Sequence, residues 1–108
     1  MSATPTFEFL EPWMLIPSDK RGDFEAELQK EMRPDHVLAG VACGAVAQRC
    51  DCDDVLFTTD SPNGLLAVVH LTWSRKPDQY PQWPHTTFLQ SWEDFRDKEM
   101  LPEHETWQ

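Results

Sequence analysis

The stretch Asp53–Trp73, DDVLFTTDSPNGLLAVVHLTW, constrains the fold of this chain more than any other. From Leu65 to Trp73 it carries no charged residue for nine positions. Upstream, Val55, Leu56 and Phe57 run into Thr58 and Thr59, a β-branched and aromatic set that suits a pleated surface. Between the two runs lies Ser61-Pro62-Asn63-Gly64. Pro62 fixes φ there, and Asn63 and Gly64 tolerate the positive φ that tight hairpin turns require. The pattern predicts a β-hairpin. Alternation of side chains puts Leu65, Ala67, Val69, Leu71 and Trp73 on one face of the second strand. Leu66, Val68, His70 and Thr72 take the other. A strand apolar on both faces is central and covered twice, or covered once and lining a groove on its second side. The wholly apolar face is expected in the core, and the face that turns polar at His70 and Thr72 is expected to open to solvent there.

The flanks supply the covers. Phe7 to Ile16 is too apolar to float free, yet Pro12 interrupts it, so an extended segment is expected, with an edge strand as one form of it. Ser18 or Asp19 offers an N-cap, and Phe24, Leu28 and Met32 then recur at helical spacing on one face. Glu25, Glu27, Lys30 and Glu31 take other faces, and Pro34 ends the helix at Arg33. Val37–Arg49 is rich in small residues, but its two later valines favour a strand over Gly44–Arg49, with Cys50–Asp54 as the following turn. SRKPDQYPQWPHTT reads as a long proline-rich loop, long enough to be functional, though its own aromatics can also pack it down. Ser91 caps a second helix with Glu93 and Asp94 in its first turn, Lys98 near its end and Pro102 closing it. The expected fold is α+β: an antiparallel β-meander of three to four strands flanked by an N-terminal and a C-terminal helix.

At 108 residues the chain reads as a single domain, with 1–6 and 105–108 loosely ordered and Trp107 able to pin the tail. Its formal net charge of −10 argues against nucleic acid or an anionic membrane as partner, because both need clustered lysine and arginine. A basic protein partner fits the sign, and an exposed sheet edge leaves a homodimer open. No apolar run approaches the ~18 residues of a membrane span, and MSATPTFEFLEPW lacks the features of a secretory signal. Three cysteines do not form a disulfide framework, which points to the cytoplasm.

His70 is the candidate catalytic residue, a general base or ligand if it lines a groove. The competing reading is a histidine at the sheet margin bonded to a threonine or a backbone carbonyl. Thr72, Trp73, Tyr80, Trp83 and His85 are the candidate binding residues, the aromatics because rigidly held Trp and Tyr make good anchors for a protein partner. Phe88 and Trp92 extend that aromatic series, and folding back over the sheet is its alternative role. Cys50-Asp51-Cys52-Asp53-Asp54 lacks the second ligand pair of a structural zinc site, and its acids disfavour thiolate. His85 and His104, with Asp78, Glu103 and Glu105, match no metal motif. Neither a metal nor a cofactor is expected.

The runs DDVLF, AVVHLTWSRKP and YPQWPHT, followed by an aromatic-rich helix, resemble a family of small uncharacterised bacterial proteins with a similar VVHLTW strand and a proline-rich segment after it. The resemblance spans about residues 36–104 and is most specific at HLTW and the downstream Trp-Pro. It implies a compact bacterial cytoplasmic domain with His70 and Trp73 in a characteristic strand, and it transfers no catalytic residue. Two functions are compatible with these observations. One is a non-enzymatic interaction module of the immunity or antitoxin type; the other is a small enzyme or ligand-binding domain with a groove beside His70.

Overall fold

The computed structural model describes residues 7–77, 80 and 82–107. The expected loose segment 1–6 lies outside the described residues. Five strands, β1 (Trp13–Leu15), β2 (Cys43–Arg49), β3 (Asp54–Thr59), β4 (Leu66–His70) and β5 (Thr86–Leu89), form one antiparallel sheet in chain order. Helix α1 (Arg21–Glu31) precedes β2, and α2 (Trp92–Phe95), a π-helical stretch Arg96–Met100 and α3 (Leu101–Glu105) follow β5. No helix among the described residues is long and apolar enough to cross a membrane.

The α+β class and the antiparallel meander are as expected; the strand count is larger. The edge strand foreseen near Pro12 is β1. β5, Thr86–Leu89, begins in the last two residues of the proline-rich segment and runs past it, with Val69 opposite Thr86 and Leu66 opposite Leu89.

β4 is covered on both sides. Leu66 and Val68 join Trp13, Leu56, Trp92, Phe95 and Met100 in one core layer. Ala67, Val69 and Leu71 join Leu28, Met32, Leu38 and Phe57 in the other. The wholly apolar face lies in the core as expected, and the C-terminal helix also seals the second face up to Val68, beyond which His70 is exposed. Trp73 leaves the strand pattern, since β4 ends at His70 and Trp73 is 40% exposed. In β2 the pairing shifts between Ala45 and Ala47, so Val46 is an extra residue that turns to the same core layer as Ala47.

The hairpin loop differs from a tight turn. Neither Asn63 nor Gly64 has positive φ; in the described residues that conformation occurs at Gly40, Trp73 and Arg75. Six residues separate β3 from β4, closed by Thr59: its N–H donates to the Leu65 carbonyl at 2.9 Å and its Oγ1 donates to the Gly64 carbonyl at 2.7 Å. Gly64 is needed for room. A Cβ there would meet the Leu89 carbonyl oxygen at 2.8 Å, because β5 runs directly past it.

α1 buries the expected Leu28 and stops at Glu31, short of the expected Arg33, with Met32 buried as its extended C-cap; its N-cap is Lys20, which makes no side-chain cap, and Ser18 and Asp19 lie in the preceding turn. Ser91 does cap α2, its side chain accepting the Asp94 N–H at 3.0 Å. Pro102 does not close the C-terminal helix, which continues to Glu105 with helical backbone at each junction. The π-helical stretch lies immediately before the proline and bonds the Leu101 N–H to the Arg96 carbonyl. A wider turn there accommodates a ring that would crowd the carbonyl four residues back.

Gly64→Ala is expected to lower unfolding free energy by about 1–3 kcal/mol through overpacking against β5. Urea denaturation measures it; a change within error would mean that β5 can step aside.

Candidate functional site

His70 ends β4 directly opposite Asp54, the first residue of β3. Its Nδ1 lies 2.7 Å from Asp54 Oδ1, and its main-chain N–H donates to the His85 carbonyl at 3.0 Å. The imidazole is 48% exposed. A cross-strand pair in that much solvent orients the ring but contributes little energy. His85 is exposed beside Trp83, with ring centroids 6.1 Å apart, and Tyr80 and Trp83 are exposed as well. A buried histidine supports this region: His36 Nε2 lies 2.9 Å from the Pro84 carbonyl oxygen, while its Nδ1 accepts the Leu38 N–H. Since Nδ1 accepts, Nε2 carries the proton and donates.

Beyond Leu71, which is fully buried, the chain turns over α1 and meets two carboxylates that the sequence placed on a solvated face. Glu27 and Glu31, one helical turn apart, are 3% and 1% exposed. Glu31 Oε1 accepts the Thr72 N–H at 2.9 Å and lies 3.0 Å from Thr72 Oγ1; Oε2 accepts the Trp73 N–H at 2.7 Å. Glu27 Oε2 accepts the Arg75 N–H at 2.9 Å. Trp73 and Arg75 take φ of 57° and 65°, a region costly for residues with a Cβ. The carboxylates hold the segment there, and the Trp73 ring meets Phe24 edge-on at 5.4 Å. Burial, and then the hydrogen bond to Glu27, raise the Glu31 pKa. Burial opposes ionisation of Glu27 too, but the Glu31 hydrogen bond, the Arg75 N–H and the charges of Lys30 and Arg75 bring its pKa below the usual value.

The cysteine turn is poorly suited to thiolate chemistry. Burial raises the Cys52 thiol, with Asp54 and Asp51 adding to it, and burial with Asp60 and Glu25 pushes Cys43 up to about 11. Asp51 is held by Arg49 at 2.7 Å. Among the described residues no group of three His, Cys, Asp or Glu side chains is arranged to hold a metal; Asp78 lies outside them.

An open groove of about 1100 Å³ lies at the β1 edge of the sheet. None of the candidate catalytic or binding residues lines it; of the cysteine cluster only Cys50 does. Phe7, Phe9, Met14 and Leu15 give it an apolar wall, and its charged residues are Glu8, Glu11, Glu25 and Arg21. Glu25 Oε2 accepts the Ala45 N–H at 2.9 Å, tying α1 to the part of β2 that β1 does not reach. The floor is fixed from below. Trp13 Nε1 donates to Glu103 Oε1 at 2.6 Å, Arg49 bonds Glu103 Oε2 at 3.0 Å, and His104 Nδ1 lies 2.6 Å from the Glu11 carbonyl oxygen. The sequence signal was the apolar Met14-Leu15 pair in a short strand after a proline. Nothing in sequence alone told which of its side chains stay outside.

Two outcomes follow from these contacts. Glu31→Ala strands the Thr72 and Trp73 donors and is expected to cost about 2–3 kcal/mol, with faster amide exchange over 72–75. Glu31, raised, contributes stability that is full below the unfolded value of about 4.3 and lost as pH rises through its folded pKa. Glu27, lowered, contributes stability that is lost as pH falls through its folded pKa. The Glu31→Ala deficit should therefore be larger at about pH 4.5 than at about pH 8 in paired denaturation curves. His70→Ala, by contrast, should change stability by less than about 1 kcal/mol in the same assay. Compared with family models, with curated proteins and with solved structures, the chain matches none.

Proposed function

We propose that this chain is a non-enzymatic protein-interaction module that binds a basic protein partner, in the manner of an immunity or antitoxin-type factor. The observation that carries this reading is the charge at the groove. Three of its four charged residues are acidic, on a chain with 19 acidic and 9 basic residues. A surface of that sign steers a cationic partner toward it and repels nucleic acid. The apolar wall formed by Met14 and Leu15, 46% and 55% exposed, offers the area that a charged rim alone lacks. We place the protein in a bacterial cytoplasm on the resemblance carried by HLTW and the Trp-Pro segment.

A second reading, a small enzyme or ligand-binding domain at His70, is favoured by one observation. Asp54 orients the imidazole and leaves Nε2 facing outward. Against it stands the exposure of that ring and its absence from the lining of the groove.

The immobilised protein, exposed to bacterial lysate at low and at moderate salt, is expected to retain one stoichiometric basic protein that weakens as salt rises. Charge reversal at Glu8 and Glu11 should weaken it at least tenfold. Retention indifferent to salt and to charge reversal would count against the reading.

A further inference from the structure

β1 is an edge strand whose two sides differ. The Ile16 N–H donates to the Val46 carbonyl and the Pro12 carbonyl accepts the Cys50 N–H, so the even-numbered residues of this segment face β2. Met14, opposite Gln48, falls in the same series. By the alternation of an antiparallel ladder, the N–H and C=O of Leu15 and the C=O of Trp13 point away from the sheet. Among the described residues none bonds to the Leu15 main chain. The Trp13 N–H is taken by the Leu10 carbonyl at 2.9 Å.

The opposite edge is guarded differently. β5 shows threonines at 86 and 87 and exposes no large apolar side chain. β1, which follows Pro12, exposes Met14 and Leu15 instead. A free edge of this kind, with apolar side chains beside it, is a template for another strand.

Charge selects the occupant. Around the groove stand Glu8, Glu11 and Glu25 against Arg21. A second copy pairing β1 with β1 would bring two such acidic rims together; an extended cationic segment would neutralise one. We infer that the β1 edge takes up an extended segment of a basic protein as a sixth strand, apolar side chains entering the groove and lysine or arginine meeting Glu8, Glu11 and Glu25. This rests on the basic-partner reading and adds where and in what conformation the partner binds. The Leu15 N–H and C=O and the Trp13 C=O supply the ladder, and alternate side chains of the guest divide between the groove and solvent.

The probe is a ten-residue peptide of alternating lysine and valine; its control has the same composition plus a central proline, which breaks a strand but keeps the charge. Titration followed by amide NMR should show the alternating peptide binding at least tenfold more tightly than the control. The Leu15 amide should become protected from exchange. Leu15→Pro removes that outward donor without touching a bond to β2 and should erase the preference. Leu15→Lys, at an exposed position, should do the same by charge if the proline variant fails to fold. Equal, salt-sensitive binding of both peptides would overturn strand addition and leave the basic-partner reading standing. Failure of both peptides to bind would overturn both. A dimer in sedimentation that Leu15→Pro dissolves would assign the edge to a second copy and overturn the proposed occupant.

Discussion

β4 is buried on both faces, and that single constraint places every other element. Leu66 and Val68 need a cover on one side of the sheet, Ala67, Val69 and Leu71 on the other. Each buried aliphatic side chain contributes roughly 1.5–3 kcal/mol, so neither side can be left open. α1 lies over the second group with Leu28 and Met32, and the C-terminal helix lies over the first with Trp92, Phe95 and Met100. The N-terminal segment then closes the remaining gap. Phe95 is ringed by Trp13 at 5.0 Å, Phe9 at 6.0 Å and Phe7 at 6.4 Å. Glu103 fastens the arrangement by bonding both Trp13 and Arg49, so the last helix also holds the first strand in place.

Covering the sheet with α1 has a consequence one turn along the same helix. The face that carries Leu28 also brings Glu27 and Glu31 inside, and burying two carboxylates costs several kcal/mol each unless donors meet them. The segment after β4 provides those donors. Its N–H groups at Thr72, Trp73 and Arg75 converge on the pair only because Trp73 and Arg75 take positive φ, at a cost of roughly 1–3 kcal/mol per residue. Carboxylates short of donors and a strained loop short of acceptors stabilise one another. His70, Leu71, Thr72 and Trp73 thus have separate structural tasks: a cross-strand pair, a core residue, an anchor and an edge-on contact with Phe24.

Much of the framework was legible because it depends on local pattern. The hairpin follows from its β-branched runs, β2 from the valines near it, α1 from Phe24, Leu28 and Met32, and the second helix from its Ser91 cap. What stayed hidden depends on contacts between distant segments. Glu27 and Glu31 look like a solvated face until the loop 41–48 residues away folds onto them. β5 is four residues long and follows two Trp/Tyr-Pro pairs, so no window of sequence marks it as a strand; the vacant edge of β4 does. Gly64 signals a tight turn by its Asn neighbour, whereas it is required by the backbone of β5 passing behind it. Pro102 signals a helix end, and a π turn absorbs it instead. The groove was least legible of all, because it forms where β1 stops short of the full length of β2.

A meander in chain order always leaves two edges, and this chain treats them unequally. Both edge strands are short and lie just after a proline, local defences against unwanted pairing, and β5 adds exposed or half-buried threonines. β1 differs in exposing Met14 and Leu15, and the acids around it and the net charge of −10 disfavour a surface of the same sign. Protection by field differs from protection by side-chain shape in that it discriminates between partners. A lysine on the strand would repel cationic guests and leave anionic ones free to approach; a rim of glutamates would do the reverse and would disfavour the close approach of a second like-charged rim. The reach of such a field shrinks from about 10 Å at 0.1 M salt to about 3 Å at 1 M. If the β1 edge takes up a cationic segment as proposed, the discrimination that charge supplies there weakens as salt rises.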